Sequence, residues 1–357
     1  MKKLRLGLIG LGGVAQVCHL PGYREVETIA IVAGADLRKD VLMKVTTEWG
    51  FNGYTDYEKM LKKENLDIAC ILTPPSIRRQ ITEKVAEHGV NVLVEKPMAL
   101  TLEDAISMIA KCEKEGVKLC YGETFRFLPT CNKAKEMIEN GLLGDLSLLL
   151  ETVIRGQGLA HYEPYHIYPI GAPGAGAWGL TDHGIHLVDT FRWFTGSEVD
   201  WVFGRGTRSG KPPSTEFLTM KFKTGVIGQL IYNETTYPSD MPYEGIFSWG
   251  SYDAQGISRW EQFPGNFRVH GTKGALRIFA YPNKMFFFGE DKKQEIKVLD
   301  KPHPHHFGLQ IESFAKHLIH GEDPDVTGID GLKDLQIILA AYESFESQKI
   351  VQIKSPI

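Results

Sequence analysis

The chain lacks the features of a protein held together by cross-links. Its 357 residues include five cysteines, Cys18, Cys70, Cys112, Cys120 and Cys131. That number is odd and no Cys-x-x-Cys pair occurs, which counts against a disulfide framework or a cysteine-rich zinc site and points to a reducing cytosol. Long apolar runs are also missing, and none reaches the ~20 residues that span a bilayer. Lys2-Lys3 and the apolar residues after them have the outline of a signal peptide. Gly7, Gly10, Gly12 and Gly13 break the run, so a strand entering a turn explains it better. An excess of charge of one sign is absent too. Forty Lys and Arg against 44 Asp and Glu leave a net charge of -4. This provides no basic surface for nucleic acid or an anionic membrane, and small polar ligands fit better. Internal repeats and low-complexity segments do not occur.

What is present is an ordinary globular composition, 43% hydrophobic and 24% charged, in a chain long enough for two domains with a core each. The first half alternates strand and helix patterns. Leu4 to Ile9 is a short apolar run, and Thr28 to Ala35 is a second. Lys39 to Trp49 and Asp56 to Glu64 read as helices, and Asp67 to Leu72 as a buried strand ending at Thr73-Pro74-Pro75. Ile77 to His88 is helical, Asn91 to Val94 a strand, Leu102 to Glu115 helical and Val117 to Tyr121 a strand. Such alternation predicts an α/β domain over 1–123, a doubly wound parallel sheet with ligands at the carboxyl ends of its strands.

Gly10-Leu11-Gly12-Gly13-Val14-Ala15 falls at the first of those ends and fits G-x-G-x-x-A. One glycine permits the tight turn, another lets the backbone approach a pyrophosphate, and the small last residue lets helix pack on strand. The helix N-terminus then offers N–H groups to the phosphates. Asp36 closes the second run, about 20 residues further on, where a carboxylate binds the adenosine ribose hydroxyls. Asp36 favours NAD, because it would repel a 2′-phosphate; Arg38 could soften that preference for NADP. The competing reading of Asp36 is a helix N-cap. The candidate cofactor residues are therefore Gly10, Gly12, Gly13, Val14, Ala15, Asp36, Arg38, Thr73, Pro74, Glu95 and Lys96. Lys96 lies just past a buried strand, where its ammonium could stabilise a developing alkoxide. Lys96-Pro97 is a candidate cis bond.

From Asp145 the pattern changes. Strand-like runs follow one another at Leu146 to Ile154, Trp201 to Arg205, Glu216 to Phe222, Gly225 to Glu234, Phe267 to His270, Ala275 to Phe279, Lys284 to Phe288 and Glu295 to Val298. Gly271-Thr272-Lys273-Gly274 reads as a hairpin turn. Helical stretches at Gly308 to His320 and Gly328 to Lys349 close the chain. Residues 124–357 are thus expected to form an α+β domain with a large, mostly antiparallel open-faced sheet. Two stretches, His161 to Trp178 and Pro238 to Phe263, are rich in aromatics and poor in periodicity. They read as loops folding over a sugar face or a flat aglycone, or as subunit-interface packing.

Between the first two of these strands lies Gly179-Leu180-Thr181-Asp182-His183-Gly184-Ile185-His186. As a helix it places Asp182 and His186 on one face, i and i+4. An imidazole is the usual general base near neutral pH, and a carboxylate beside it orients it.

These motifs together resemble the glucose–fructose oxidoreductase / inositol dehydrogenase / rhizopine-catabolism (Gfo/Idh/MocA) family over nearly the whole chain. The resemblance rests on Gly10-x-Gly12-Gly13-x-Ala15, Glu95-Lys96-Pro97, Arg126-Phe127-x-Pro129, Asp182-x-x-x-His186-x-x-Asp189 and Gly271-Thr272-Lys273-Gly274. It implies a Rossmann domain, dependence on NAD(P), oxidation of a secondary ring hydroxyl of a sugar or cyclitol, and association of copies through the open sheet face. It gives Lys96, Asp182 and His186 the catalytic roles, with Arg126, Tyr162, Trp178 and His183 as candidate substrate contacts. The chain departs from the family in having Thr124 where asparagine is common and in the additional histidine, His183. The resemblance includes enzymes that oxidise C3 of glucosides, and relatives that oxidise, eliminate and reduce as redox-neutral glycosidases. A cofactor-binding sensor would not need both a base and a cation. No metal centre is expected, because only Asp182 and His186 share a face well and His303-Pro304-His305-His306 reads as a loop.

Overall fold

A computed structural model describes residues 3–154, 179–206, 215–233, 266–280, 283–290, 293–298 and 305–356. The chain divides into two compact units, Met1–Glu123 with Pro304–Leu335, and Thr124–His303 with Gln336–Ile357.

The first unit opens with β1 (Leu4–Ile9), a π-helical turn (Ala15–His19) running into α1 (Leu20–Tyr23), and β2 (Ile29–Ala35). It continues through α2 (Lys39–Trp49), β3 (Asn52–Tyr54), α3 (Tyr57–Lys63), β4 (Ile68–Ile71), α4 (Arg78–Glu87), β5 (Asn91–Glu95), α5 (Leu102–Glu115) and β6 (Leu119–Gly122). The strands pair in the order β3-β2-β1-β4-β5-β6, every pair parallel. The direction of winding reverses between β1 and β4, and that reversal opens a crevice beyond their carboxyl ends. Leu6, Leu8, Ile68, Ala69, Cys70, Ile71, Val92, Leu93 and Val94 are all fully buried. Strands covered on both faces read as continuous apolar runs, which is why this sheet was legible. The edge strand β3 was not, since Asn52-Gly53-Tyr54 is short and carries no apolar pattern.

The wide turn before α1 has a local cause. Pro21 cannot donate to a carbonyl four residues back and its ring crowds that carbonyl, and the bulged turn lies immediately before it.

In the second unit a 3₁₀ turn (Phe125–Phe127) leads to α6 (Pro129–Glu139), which sequence periodicity had not revealed. Then follow β7 (Leu146–Ile154), a second π-helical turn (Gly179–Gly184), α7 (Ile185–Thr195), β8 (Val199–Gly206), β9 (Thr215–Phe222), β10 (Ile227–Asn233), β11 (Asn266–Gly271), β12 (Ala275–Phe279), β13 (Lys284–Phe288) and β14 (Lys293–Ile296). With β15 (Val351–Gln352) they form a nine-stranded sheet, β14-β13-β12-β11-β7-β10-β9-β8-β15. Its pairs are antiparallel except β7 with β10. Leu218, Met220, Phe222, Leu230, Tyr232, Phe267, Val269 and Met285 alternate into one buried face, where they cluster with Phe191 and Phe194 of α7 and Ala134 and Met137 of α6. Gly271 N–H donates to Gly274 O at 2.9 Å, closing the expected hairpin turn between β11 and β12.

Two helices complete the fold. The first, α8 (His305–His320), starts earlier than expected, so His305 and His306 are helical rather than part of a loop. His303 and Pro304 lie outside the described residues. Phe307, Ile311 and Phe314 of α8 bury in the same cluster as Leu6, Leu8 and Leu20 of the first unit. Glycine at 308 permits this approach, since a Cβ there would lie 2.2 Å from the carbonyl oxygen of Gly22. The last helix, α9 (Gly328–Ser347), contains the division between the units.

Candidate functional site

In the first unit the candidate residues meet at the crevice of the parallel sheet. Gly10 follows β1 with φ +93°, a conformation that L side chains rarely adopt. Its N–H donates to Ala35 O at 2.8 Å. A Cβ at Gly10 would meet the backbone of Leu72 at 3.0 Å. Gly12 is different, because a Cβ there would meet only Arg38 Nη2, at an ordinary 3.6 Å. The fold leaves room for a side chain at Gly12, so glycine there keeps the turn open toward the crevice. The helix begins at Gly13 and includes Val14, and Ala15 is fully buried against the sheet.

Asp36 ends β2 and faces the glycine turn. Its Oδ2 accepts from Leu11 N–H at 2.9 Å. Arg38 donates to it through the backbone N–H, Nε and Nη2, at 2.9, 3.0 and 2.9 Å. Burial alone would raise the Asp36 pKa, but these bonds from Arg38 and Leu11 outweigh it and hold the carboxyl below its ordinary range. Thr73, at the end of β4, has a buried Oγ1 with no hydrogen-bond partner, while Pro74 beside it is exposed. An unsatisfied hydroxyl, an open glycine and a carboxylate at one sheet edge fit a dinucleotide.

Lys96 is half-buried just past β5, and Lys96-Pro97 is cis. Arg78 was missed in the sequence. Only 4% exposed, it donates to Thr73 O at 2.8 Å, to Glu95 O at 2.6 Å and to Pro97 O. One guanidinium therefore holds the backbone on both sides of Lys96. Glu95 is not at the open edge as expected. It is 4% exposed, and its Oε1 lies 3.1 Å from Nε2 of the fully buried His19. Nδ1 of His19 meets the Tyr23 hydroxyl at 2.7 Å. Burial would raise the Glu95 pKa, yet the bond to His19 and the charges of His19, Lys96 and Arg78 lower it.

In the second unit the Gly179 to His186 stretch is helical, but in two pieces. Residues 179–184 form the π turn and α7 starts at Ile185. A π turn closes over five residues rather than four, so the helical winding changes between Asp182 and His186. Asp182 is half-buried, while His183 and His186 are 4% and 8% exposed. The His186 ring stacks face to face on Phe125, with centroids 4.4 Å apart and planes at 7°. Phe125 belongs to the turn that also carries Arg126. Arg126 was expected to contact substrate. Its Nε and Nη2 donate to the fully buried Asp189 at 2.7 and 2.6 Å, a bidentate pair that ties the Phe125 turn to α7.

Two buried carboxylates underlie the π turn. Glu151 of β7 meets His183 Nε2 at 3.1 Å and accepts from the Tyr232 hydroxyl at 2.6 Å. Glu216 of β9 accepts from Leu180 N–H and from the Tyr342 hydroxyl, both at 2.9 Å. A Cβ at Gly179 would lie 2.1 Å from Glu216 Oε2, so glycine there lets this carboxylate reach the Leu180 N–H. Both carboxylates sit at inward register positions, Glu151 between Leu149 and Val153 and Glu216 two residues before Leu218. A buried charge needs partners. Tyr162 and Trp178 lie outside the described residues. Among the described residues no group of three or more His, Cys, Asp or Glu side chains could hold a metal ion. No described helix is long and apolar enough to cross a membrane.

Comparison with known proteins agrees with this architecture. Residues 4–123 match an oxidoreductase family with an NAD-binding Rossmann fold, and residues 135–353 match the C-terminal alpha/beta domain of the same family. A D-apiose dehydrogenase of Paraburkholderia graminis is 26% identical over 99% of this chain and 91% of its own. A myo-inositol 2-dehydrogenase of Thermotoga maritima is 24% identical over 99% of this chain and all of its own. The solved aldose-aldose oxidoreductase of Caulobacter crescentus shares the fold, with a TM-score of 0.81 at 23% identity over 99% of this chain and all of that one. The chain therefore belongs to the Gfo/Idh/MocA family of oxidoreductases and carries that family's NAD-binding Rossmann domain.

Proposed function

We propose that the protein oxidises a secondary ring hydroxyl of a sugar, cyclitol or glycoside, with NAD as hydride acceptor. Residues 1–123 would be the dinucleotide-binding domain and 124–357 the domain for substrate binding and oligomerisation. The observation that carries this reading is the held imidazole. His186, in the first turn of α7, is flat against Phe125 and lies two residues after the π turn that bears Asp182, in a chain of an NAD-binding oxidoreductase family.

Gly10, Gly12, Gly13, Val14 and Ala15 would hold the pyrophosphate, with Asp36 on the adenosine ribose and Thr73 and Pro74 lining the crevice. The Asp36 carboxylate favours NAD over NADP by repelling a 2′-phosphate, and Arg38, paired with it, softens that preference. NAD, when bound, supplies the hydride acceptor. His186 takes the hydroxyl proton, Asp182 orients the hydroxyl and the imidazole, and the Lys96 ammonium stabilises charge developing on the substrate oxygen. His183, Tyr162 and Trp178 would contact the rest of the substrate. The aromatic content of 161–178 and 238–263 favours a substrate larger than a free hexose, such as a glucoside oxidised at C3.

The outward face of the nine-stranded sheet carries half-buried rings, among them Phe203 against Phe217 and Phe279 against Phe286, each pair 6.1 Å apart. That face suits a second copy of the chain, and light scattering on the purified protein would show a dimer or tetramer. All five cysteines are free and buried, which suits a reducing cytoplasm.

The test is turnover of NAD with a panel of sugars, cyclitols and glucosides, for the wild type and His186→Ala. A general base contributes about 10²–10⁴-fold, so His186→Ala should lose that much in kcat and still bind NAD. Loss of NAD binding instead would refute the assignment. Bond cleavage in a glucoside with no NADH accumulating would replace simple oxidation with a redox-neutral cycle.

A further inference from the structure

We propose that Glu151 is a positioning residue of the site. With Tyr232 it fixes the additional histidine, His183, as the Nε2–H tautomer, in the turn that carries Asp182 and runs into the helix of His186. This rests on the dehydrogenase reading above for its consequence in catalysis, but not for the tautomer itself.

The argument starts from the strand. Glu151 sits at an inward position of β7, 2% exposed, between Leu149 and Val153, both fully buried. A carboxylate placed there must be satisfied by donors. The Tyr232 hydroxyl donates to Oε2 at 2.6 Å. Burial, first, and the adjacent Glu151 both push the Tyr232 pKa well up, so the phenol keeps its proton to donate. Oε1 faces His183 Nε2 at 3.1 Å. A carboxylate oxygen there accepts, so the ring proton belongs on Nε2, and a neutral imidazole protonated at Nε2 has an acceptor at Nδ1.

Packing fixes the ring as well as the proton. His183 stands edge-on to Tyr232, Phe125 and His186, with centroids 5.7, 5.9 and 6.2 Å away. Glycine at 184 admits Tyr232, since a Cβ there would come within 3.1 Å of its ring. The ring that carries the fixed tautomer is therefore a neighbour of the proposed base.

The test combines a spectroscopic and a kinetic reading on the full-length protein. Histidine labelled with ¹⁵N reports the protonated nitrogen of each imidazole, and the His183 resonance is assigned by its loss in His183→Gln. The wild type should show Nε2–H. Glu151→Gln can donate its amide N–H to Nε2, so the ring should switch to Nδ1–H. With the substrate that the wild type turns over best, kcat should fall at least about tenfold and NAD affinity should change less than twofold. Tyr232→Phe leaves the carboxylate in place, so it should keep the Nε2–H tautomer and lose less kcat than Glu151→Gln. An Nδ1–H tautomer in the wild type overturns the proposal even if neither variant folds. A switched tautomer with kcat within twofold of wild type overturns it too. Should no substrate turn over in the wild type, the dehydrogenase reading fails, while the tautomer measurement still decides the role of Glu151.

Discussion

Each unit contains a buried histidine–carboxylate pair at the same 3.1 Å separation, and a tyrosine completes each of them differently. In the first unit the Tyr23 hydroxyl meets the histidine, so both nitrogens of His19 are engaged inside the core, one by Tyr23 and one by Glu95. In the second the Tyr232 hydroxyl meets the carboxylate, so Glu151 is bonded at both oxygens. The first arrangement spends the imidazole on structure, behind the strand end that leads to Lys96. The second spends the carboxylate and leaves the imidazole to define a turn. Identical residue types thus serve a core in one place and, in the proposed reading, a site in the other, and the two arrangements differ in which partner the tyrosine satisfies.

Removing the histidine is the strongest way to break the comparison. His19→Ala leaves Glu95 buried without its main partner, and breaking such a pair costs about 3–5 kcal/mol. Urea unfolding should show that loss; a change under 1 kcal/mol would mean Glu95 reaches solvent. Arg78→Met comes next. It withdraws a charged donor from three carbonyls, at about 1.5–3 kcal/mol, and should also weaken turnover, because the backbone around Lys96 is no longer held. Acid titration of stability distinguishes Glu95 specifically. Its pKa in the folded protein lies below the ordinary 4.5, so its contribution is present above that value and is lost as pH falls through the lowered one. Glu95→Gln should flatten the stability–pH curve below about pH 4.5. The smallest effect is expected for Phe125→Leu. Stacked rings contribute about 0.5–1.5 kcal/mol, so kcat should fall from a few-fold to about tenfold with the NAD affinity intact. An unchanged kcat would mean that the face of Phe125 does not hold His186.

The sequence carried much of this because the relevant signals are local. Runs such as Ile68 to Leu72 and the glycines after Ile9 encode strand and turn within a few residues, and alternation along β9 and β10 shows which side is buried. Two side chains have partners that only distant parts of the chain supply. Arg126, a candidate substrate contact, has its guanidinium bonded to Asp189, far along the chain. Glu95 was read as an edge residue, but His19 draws it inward. The change of winding between Asp182 and His186 has another origin: tertiary anchors under the turn, Glu216 on Leu180 and Glu151 on His183, accompany a wider helical turn that periodicity does not encode. Arg78 gave no signal, because a lysine- or arginine-bearing helix start normally faces water.

The return of α8 to the first unit has a consequence for dissecting the protein. Its side chains Phe307, Ile311 and Phe314 fill the interior formed by Leu6, Leu8 and Leu20, some three hundred positions away in the sequence. Cutting the chain after Glu123 would strip that interior of its lid and expose the apolar surface beneath. The nucleotide-binding half is therefore not a module that can be lifted out by one scission, and its last structural contribution is translated only after nearly all of the other half.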